Sequence, residues 1–245
     1  MDALRDISGY RFFSAGDTGA AHAAAHRALD SGDYREGHRQ LAAWLEGRTS
    51  AGSQWVHVQW HMLVFEIAVG EWGAARARFD AYILPSCDDA ATDAPAGLWR
   101  LALSAPGPVD LPWAVISANA ASRLGSAKDR YVELHHLLAL AGAGDTEALE
   151  RWVDAHPVHC EEDCTLHDLG RALLFYSAGI YADAARALAI ALPGLPRLGG
   201  SHAQNALFTQ IQRRAAEQAA LSDRIERKEQ WDKRTKSWSS SHRAA

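Results

Sequence analysis

Along this chain the apolar positions recur every three to four residues, the spacing of one face of a helix, and strict apolar–polar alternation is nearly absent. Alanine and leucine dominate these stretches. The pattern predicts helices over residues 17–30, 33–47, 52–69, 71–84, 93–104, 110–124, 128–142, 145–155, 163–178, 180–191 and 199–234. Asp17, Ser53, Asp93, Asp110 and Asp145 stand where N-caps belong, because their side-chain oxygens can accept from the unpaired N–H groups of a first helical turn. Two segments break the rhythm: an acidic loop from Pro85 to Pro95, and a second break from Pro106 to Pro112. The division expected is an N-terminal segment at 1–16, one helical domain at 17–236, and a frayed tail at 237–245 that opens at Ser237.

The turns repeat. Gly32-Asp33-Tyr34, Gly70-Glu71-Trp72 and Gly179-Ile180-Tyr181 share one form, and each has a small residue three positions beyond the aromatic: Gly37, Ala75 and Ala184. A glycine ends one helix, an aromatic opens the next, and the small residue lets the two pack closely. Gly142 to Asp145 reads as a looser fourth copy. The first two glycines are 38 residues apart (32 to 70) and the last two 37 (142 to 179), near the period of tetratricopeptide repeats. The fold expected is therefore all-α, a tetratricopeptide-like α-solenoid of helix-turn-helix repeats.

Composition narrows the function. A net charge of -5 disfavours nucleic acid, whose phosphates call for a basic surface. Three cysteines, Cys87, Cys160 and Cys164, make no disulfide framework and point to a reducing, cytoplasmic setting. The N-terminus has no apolar core of a secretion signal, and the best apolar run, Met62 to Val69, is interrupted by Glu66, so no membrane span is expected. Twelve histidines and nine tryptophans are many for 245 residues, and they direct attention to imidazole chemistry.

His22 and His26 are four residues apart, as are His57 and His61, so each pair lies on one helix face. The pairs are separated by 35 residues (22 to 57), about one repeat, which places them on neighbouring helices. His136 lies six residues before Gly142, as His26 lies six before Gly32. Three helices are thus expected to aim histidines at one interior space. Two chemistries fit such a space: acid–base catalysis, with Asp93 or Glu66 beside an imidazole, and a bound transition metal. Glu133-x-x-His136 is half of a di-iron helix motif, but no second half is evident. The plain alternative is a set of core imidazoles hydrogen-bonded or stacked on Trp55, Trp60 and Trp99.

Other candidates carry less. His159, Cys160, Cys164 and His167 would suit zinc only poorly, since Glu161, Glu162 and Asp163 lie among them and no CxxC is present. Arg100 can clamp a carboxylate or phosphate, or else pair with a neighbouring helix. Gly199-Gly200-Ser201-His202 opens the last helix, where free N–H groups can hold an anion or simply start the helix. Residues 222–236 mix both charges and read as a solvated helix end. No phosphate-binding loop, dinucleotide fingerprint or G-x-S-x-G elbow is present.

The stretch WVHVQWHMLVFEIAVGEWGAARARFDAYILP, from Trp55, resembles the tetratricopeptide repeat protein 38 family: H-x-x-W-H, an aliphatic helix, glycine–acid–aromatic, and a closing I-L-P. Asp93 with Leu98-Trp99-Arg100-Leu101, the His22/His26 pair, His136, Asp168-Leu169-Gly170 and Gly199-Gly200-Ser201 with Ala203-Gln204 resemble further family positions. The likeness spans about residues 17–215 and matches the C-terminal part of the family. Ala28 and Leu29 stand where that family has a histidine and an acid. It implies a fold and a set of shared polar positions rather than a reaction. Together these readings give a small-molecule enzyme with a histidine-rich inner cleft. His57, His61, His26, Asp93 and His136 are its expected acid–base groups, and His22, Trp60, Trp99, Arg100 and His202 its substrate contacts. No cofactor is assigned, a homodimer is allowed, and the alternatives are a protein-interaction scaffold and a histidine-bound metal enzyme.

Overall fold

Residues 18–50, 52–88 and 91–241 are described by a computed structural model, and among them no strand forms. Eleven α-helices are present among these residues: α1 (Thr18–Ser31), α2 (Tyr34–Leu45), α3 (Ser53–Val69), α4 (Trp72–Arg78), α5 (Asp93–Ser104), α6 (Trp113–Arg123), α7 (Arg130–Ala143), α8 (Thr146–Ala155), α9 (Glu161–Ser177), α10 (Tyr181–Ala191) and α11 (His202–Ser241). Nine of them match an expected helix within three residues at either end, and α4 and α11 differ further. The segment expected as one helix at 71–84 is divided: α4 passes into a π-helical turn, Phe79–Ile83, and a 3-10 turn, Leu84–Ser86. Pro85 has no N–H to continue the helical ladder. α11 runs on to Ser241, beyond the point where the sequence suggests a tail, and the 1–16 segment lies outside the described residues.

The expected caps hold in part. Asp145 accepts from the Ala148 N–H at 3.0 Å. Asp129, not foreseen, caps α7 by accepting from Tyr131 N–H at 2.7 Å. Ser53 lies inside α3 behind Gly52, which makes no side-chain cap, and α6 begins only after Pro112, so Asp110 caps nothing. Asp93 is the first residue of α5 and turns its carboxylate elsewhere. Asp17 lies outside the described residues.

Four helix ends share one hydrogen-bonded turn. The residue after the glycine donates its N–H to the carbonyl five positions back: Asp33 to Ala28, Glu71 to Glu66, Asp145 to Leu140, and Ile180 to Phe175, at 2.7–3.1 Å. Each turn glycine (Gly32, Gly70, Gly144 and Gly179) has a φ of 75–88°, the left-handed conformation this closure demands. The third turn therefore closes on Gly144 and not on Gly142. Gly142 stays inside α7, where a Cβ would overlap the Trp113 ring.

Helices α1, α3, α5, α7 and α9 pack in succession. α2 lies on α1 and α3, α4 on α3 and α5, α6 on α7, α8 on α7 and α9, and α10 on α9. α11 then packs on α10, α5 and α1, so that the end of the chain returns to its beginning. α3 is buried from Trp55 to Glu66 apart from His57, because neighbours cover it on several sides. Gly37 fits this packing: a Cβ there would meet Phe65 at 2.5 Å and Ala28 at 2.8 Å. Among the described residues no helix is long and apolar enough to cross a membrane.

Candidate metal centre

α1 and α3 lie side by side, and each carries a histidine pair at i and i+4 on the face toward the other. One ring nitrogen from each of His22, His26, His57 and His61 falls within 4.8 Å of all the others. The rings meet mostly edge to face, with centroids 4.4 Å apart for His26–His61, 4.6 Å for His57–His61 and 4.9 Å for His22–His57. His22 Nε2 and His26 Nε2 are 2.9 Å apart, so one donates to the other. Four nitrogens placed tetrahedrally about a zinc-sized ion at ~2.05 Å are separated by ~3.3 Å. The widest of these separations exceeds that spacing by about 1.5 Å, a gap that rotation of the side chains can close.

Two features orient the group. His57 Nδ1 lies 2.8 and 3.0 Å from the two carboxylate oxygens of Asp93, which leaves its Nε2 as the ring's other nitrogen. This carboxylate–imidazole pairing is the usual means of fixing a ligating histidine's tautomer and ring orientation. Trp60 stacks on His57 with parallel planes, centroids 5.5 Å apart, and meets His61 edge-on at 5.2 Å. His61 is wholly buried, and neither of its ring nitrogens has a protein partner. A buried imidazole in that condition costs about 1–3 kcal/mol of unpaired polarity.

Burial, then the neighbouring His57 and His26, push the His22 pKa down to about 4, against a pull upward from Asp93. Burial and His57 lower His26, although Asp30 opposes them. His61 is lowered well below the ordinary value, first by burial and then by His57, His26, His22 and Arg100. These three imidazoles are neutral at neutral pH, with lone pairs ready to coordinate.

The remaining expected residues separate from this group. Asp93, not Glu66, is the histidine partner; Glu66 takes Arg78 Nε and Nη2 in a fork at 2.8–3.0 Å. His136 does not join the four. Its Nδ1 faces Glu133 at 3.3 Å, and it lines a small cavity with Ala94, Ile116 and Ala120. Two helices converge their histidines, not three. Trp99 lies apart from the four histidines: its Nε1 donates to Leu138 O at 2.7 Å and ties α5 to α7, and its ring meets Trp113 and Tyr176 edge-on. Arg100 and His202 line a cleft beside α11 instead of the histidine group itself, and His202 lies 3.7 Å from Asp30. Ser201 and Gln204 close a reciprocal capping box (2.8 and 3.2 Å), which occupies two of the N–H groups at this helix start. Cys160 precedes α9 and Cys164 is exposed, while His167 Nε2 meets Val153 O at 3.2 Å, so no zinc site gathers around them.

His135, adjacent to His136 and likewise buried in α7, has no place among the candidates that the sequence offers. It donates from Nδ1 to Tyr131 O at 2.8 Å and packs on Tyr131 and Phe208. Burial pulls its pKa down to about 4; the Tyr131 carbonyl, Asp93 and Asp129 oppose the fall and His136 adds to it. The unfolded chain binds this proton near pH 6.5 and the folded chain does not, so the native state loses stability as pH falls between these values. The expected loss is about 3 kcal/mol by pH 4, with none further below. Urea unfolding at pH 7 and pH 4.5 tests this, because His135→Leu should remove that share of the pH dependence.

No protein-family model matches the chain, and no solved structure matches it.

Proposed function

We propose that His22, His26, His57 and His61 form a transition-metal centre at which a small molecule is transformed. The observation that carries this reading is the convergence of four imidazoles from two adjacent helices within 4.8 Å, one of them buried with both nitrogens lacking a protein partner. Four imidazole nitrogen donors suit zinc, iron(II), copper(II) or nickel(II), and disfavour calcium and magnesium, which take oxygen. With a fifth coordination position open to substrate or water, such an ion would supply Lewis acidity and lower the pKa of bound water. The chain's own residues orient and insulate: Asp93 fixes the His57 tautomer, and Trp60 shields one side of the group. We read the surrounding fold as a tetratricopeptide-like solenoid, a reading supported by the four matching glycine turns and by the succession of packed helix pairs.

The His57–Asp93 pair favours one second reading, metal-free acid–base catalysis, in which the carboxylate holds the imidazole as a general base. Elemental analysis separates the two. Protein expressed in medium supplied with zinc, iron, copper, nickel and manganese is expected to carry about one equivalent of transition metal per chain, and His26→Ala is expected to carry little. Wild-type protein that arrives metal-poor and takes up none on reconstitution would overturn the metal reading and leave the acid–base one.

A further inference from the structure

Near the histidine group, with the Trp60 ring in contact with His57, His61 and Arg100, lies a cleft of about 490 Å³ between α1, the start of α2, α3, α5 and the first turns of α11. Cavities of this size accept a metabolite or a drug-sized molecule. Its floor holds Arg100, which is 5% exposed. Among the described residues no carboxylate meets this guanidinium. Its Nη2 donates to the Ala203 carbonyl, its Nη1 reaches only Gln210 Oε1 at 3.5 Å, and its Nε has no partner. The same guanidinium lies 5.5 Å from the Trp60 ring centre, a cation–π contact that fixes its plane without neutralising it.

A buried guanidinium faced only by neutral acceptors is an expensive arrangement, because nothing repays the loss of its hydration. Burial lowers its pKa to about 10, and it stays charged at neutral pH. The rest of the cleft has the same sign. Arg213 and Arg214 of α11 add two guanidiniums, while Glu217 is the one carboxylate in the lining and sits 3.9 Å from Arg214. His202 stands at the edge, and Val64, Leu103 and Ala206 supply apolar wall.

We propose that this cleft binds a small organic anion, a carboxylate or phosphate head on an apolar body, with Arg100 as the anchoring fork and Arg213 and Arg214 as the outer field. The planar fork of an arginine matches both heads in two parallel hydrogen bonds. The inference stands on the cleft alone and holds whether or not the histidine group carries a metal.

Titration calorimetry with hexanoate, hexyl phosphate and the neutral hexanamide tests it. At least one of the two anions is expected to bind about tenfold or more tightly than the amide, the margin of a charge-assisted hydrogen bond. Arg100→Gln is expected to erase that preference, and Arg213→Gln, at an exposed position, to weaken the anion a few-fold while the fold is kept. Should Arg100→Gln fail to fold by circular dichroism, Arg100→Lys replaces it: the charge remains but the fork is lost, and the anion is expected to bind about fivefold more weakly. His26→Ala, measured in chelator, is expected to bind the anion as wild type does, which separates this cleft from the proposed metal centre. Equal binding of amide and anions, or unchanged anion binding in the Arg100 variant that folds, overturns the proposal.

Discussion

His61→Leu is expected to abolish metal binding and, in the presence of a chelator, to make the protein more stable than wild type. The two effects have opposite signs because His61 pays for one state in the other. Without an ion its imidazole is wholly buried and neither nitrogen meets a protein group. Leucine has similar bulk and carries no polar atom, so the substitution removes a penalty of about 1–3 kcal/mol at little packing cost. With an ion present at a thousand times its dissociation constant, wild-type protein gains about 4 kcal/mol that the variant cannot. Thermal melts of both proteins, each in chelator and in excess zinc or nickel, should therefore cross: the variant melts higher in chelator and lower in metal. If the variant melts lower than wild type by the same margin in both conditions, His61 is a packing residue and the metal centre is refuted.

The helices and the i and i+4 histidine pairs were legible in the sequence because each depends on short-range periodicity or on one repeat length, whereas Asp93 was one of two partners, with Glu66, that the sequence left open. His22, His26, His57 and His61 are placed by helix spacing and by the 35-residue offset between pairs, and the structure brings all four together. His136 failed for a local reason. The turn that ends α7 closes on Gly144, two residues beyond the glycine used to set the register, since Trp113 holds Gly142 inside the helix. Counted from Gly144, the histidine nine residues upstream, the place His61 holds before Gly70, is His135, buried in α7 beside His136. The Arg100 cleft was half visible. Arg100 could be named, but Gln210, Arg213 and Arg214 meet it only because α11 packs back on α5, a contact across more than a hundred residues that periodicity does not encode.

Glu133→Ala is expected to cost about 3–5 kcal/mol of stability and to leave the metal content unchanged. Glu133 is 4% exposed, and its carboxylate holds three separate parts of the chain. It accepts from Gly125 N–H at 2.7 Å, from Trp152 Nε1 at 2.7 Å and, through its other oxygen, faces His136 Nδ1 at 3.3 Å. Burial would raise its pKa, but His136, the Gly125 N–H and the Trp152 indole together hold it below the ordinary value. Alanine strands all of these donors at once, next to the end of α6 and the face of α8. For a chain of this size the loss corresponds to a melting temperature lower by about 10 °C. Glu133→Gln keeps an acceptor oxygen but turns an amide toward the remaining donors, so about 1–2 kcal/mol should be lost. The pair of variants assigns the Glu133–His136 couple: a stability series of alanine below glutamine below wild type, with metal content constant, makes it a structural clamp between α6, α7 and α8. A Glu133→Gln protein that keeps its stability but loses its metal would instead return His136 to the metal centre, as a contributor acting across α5.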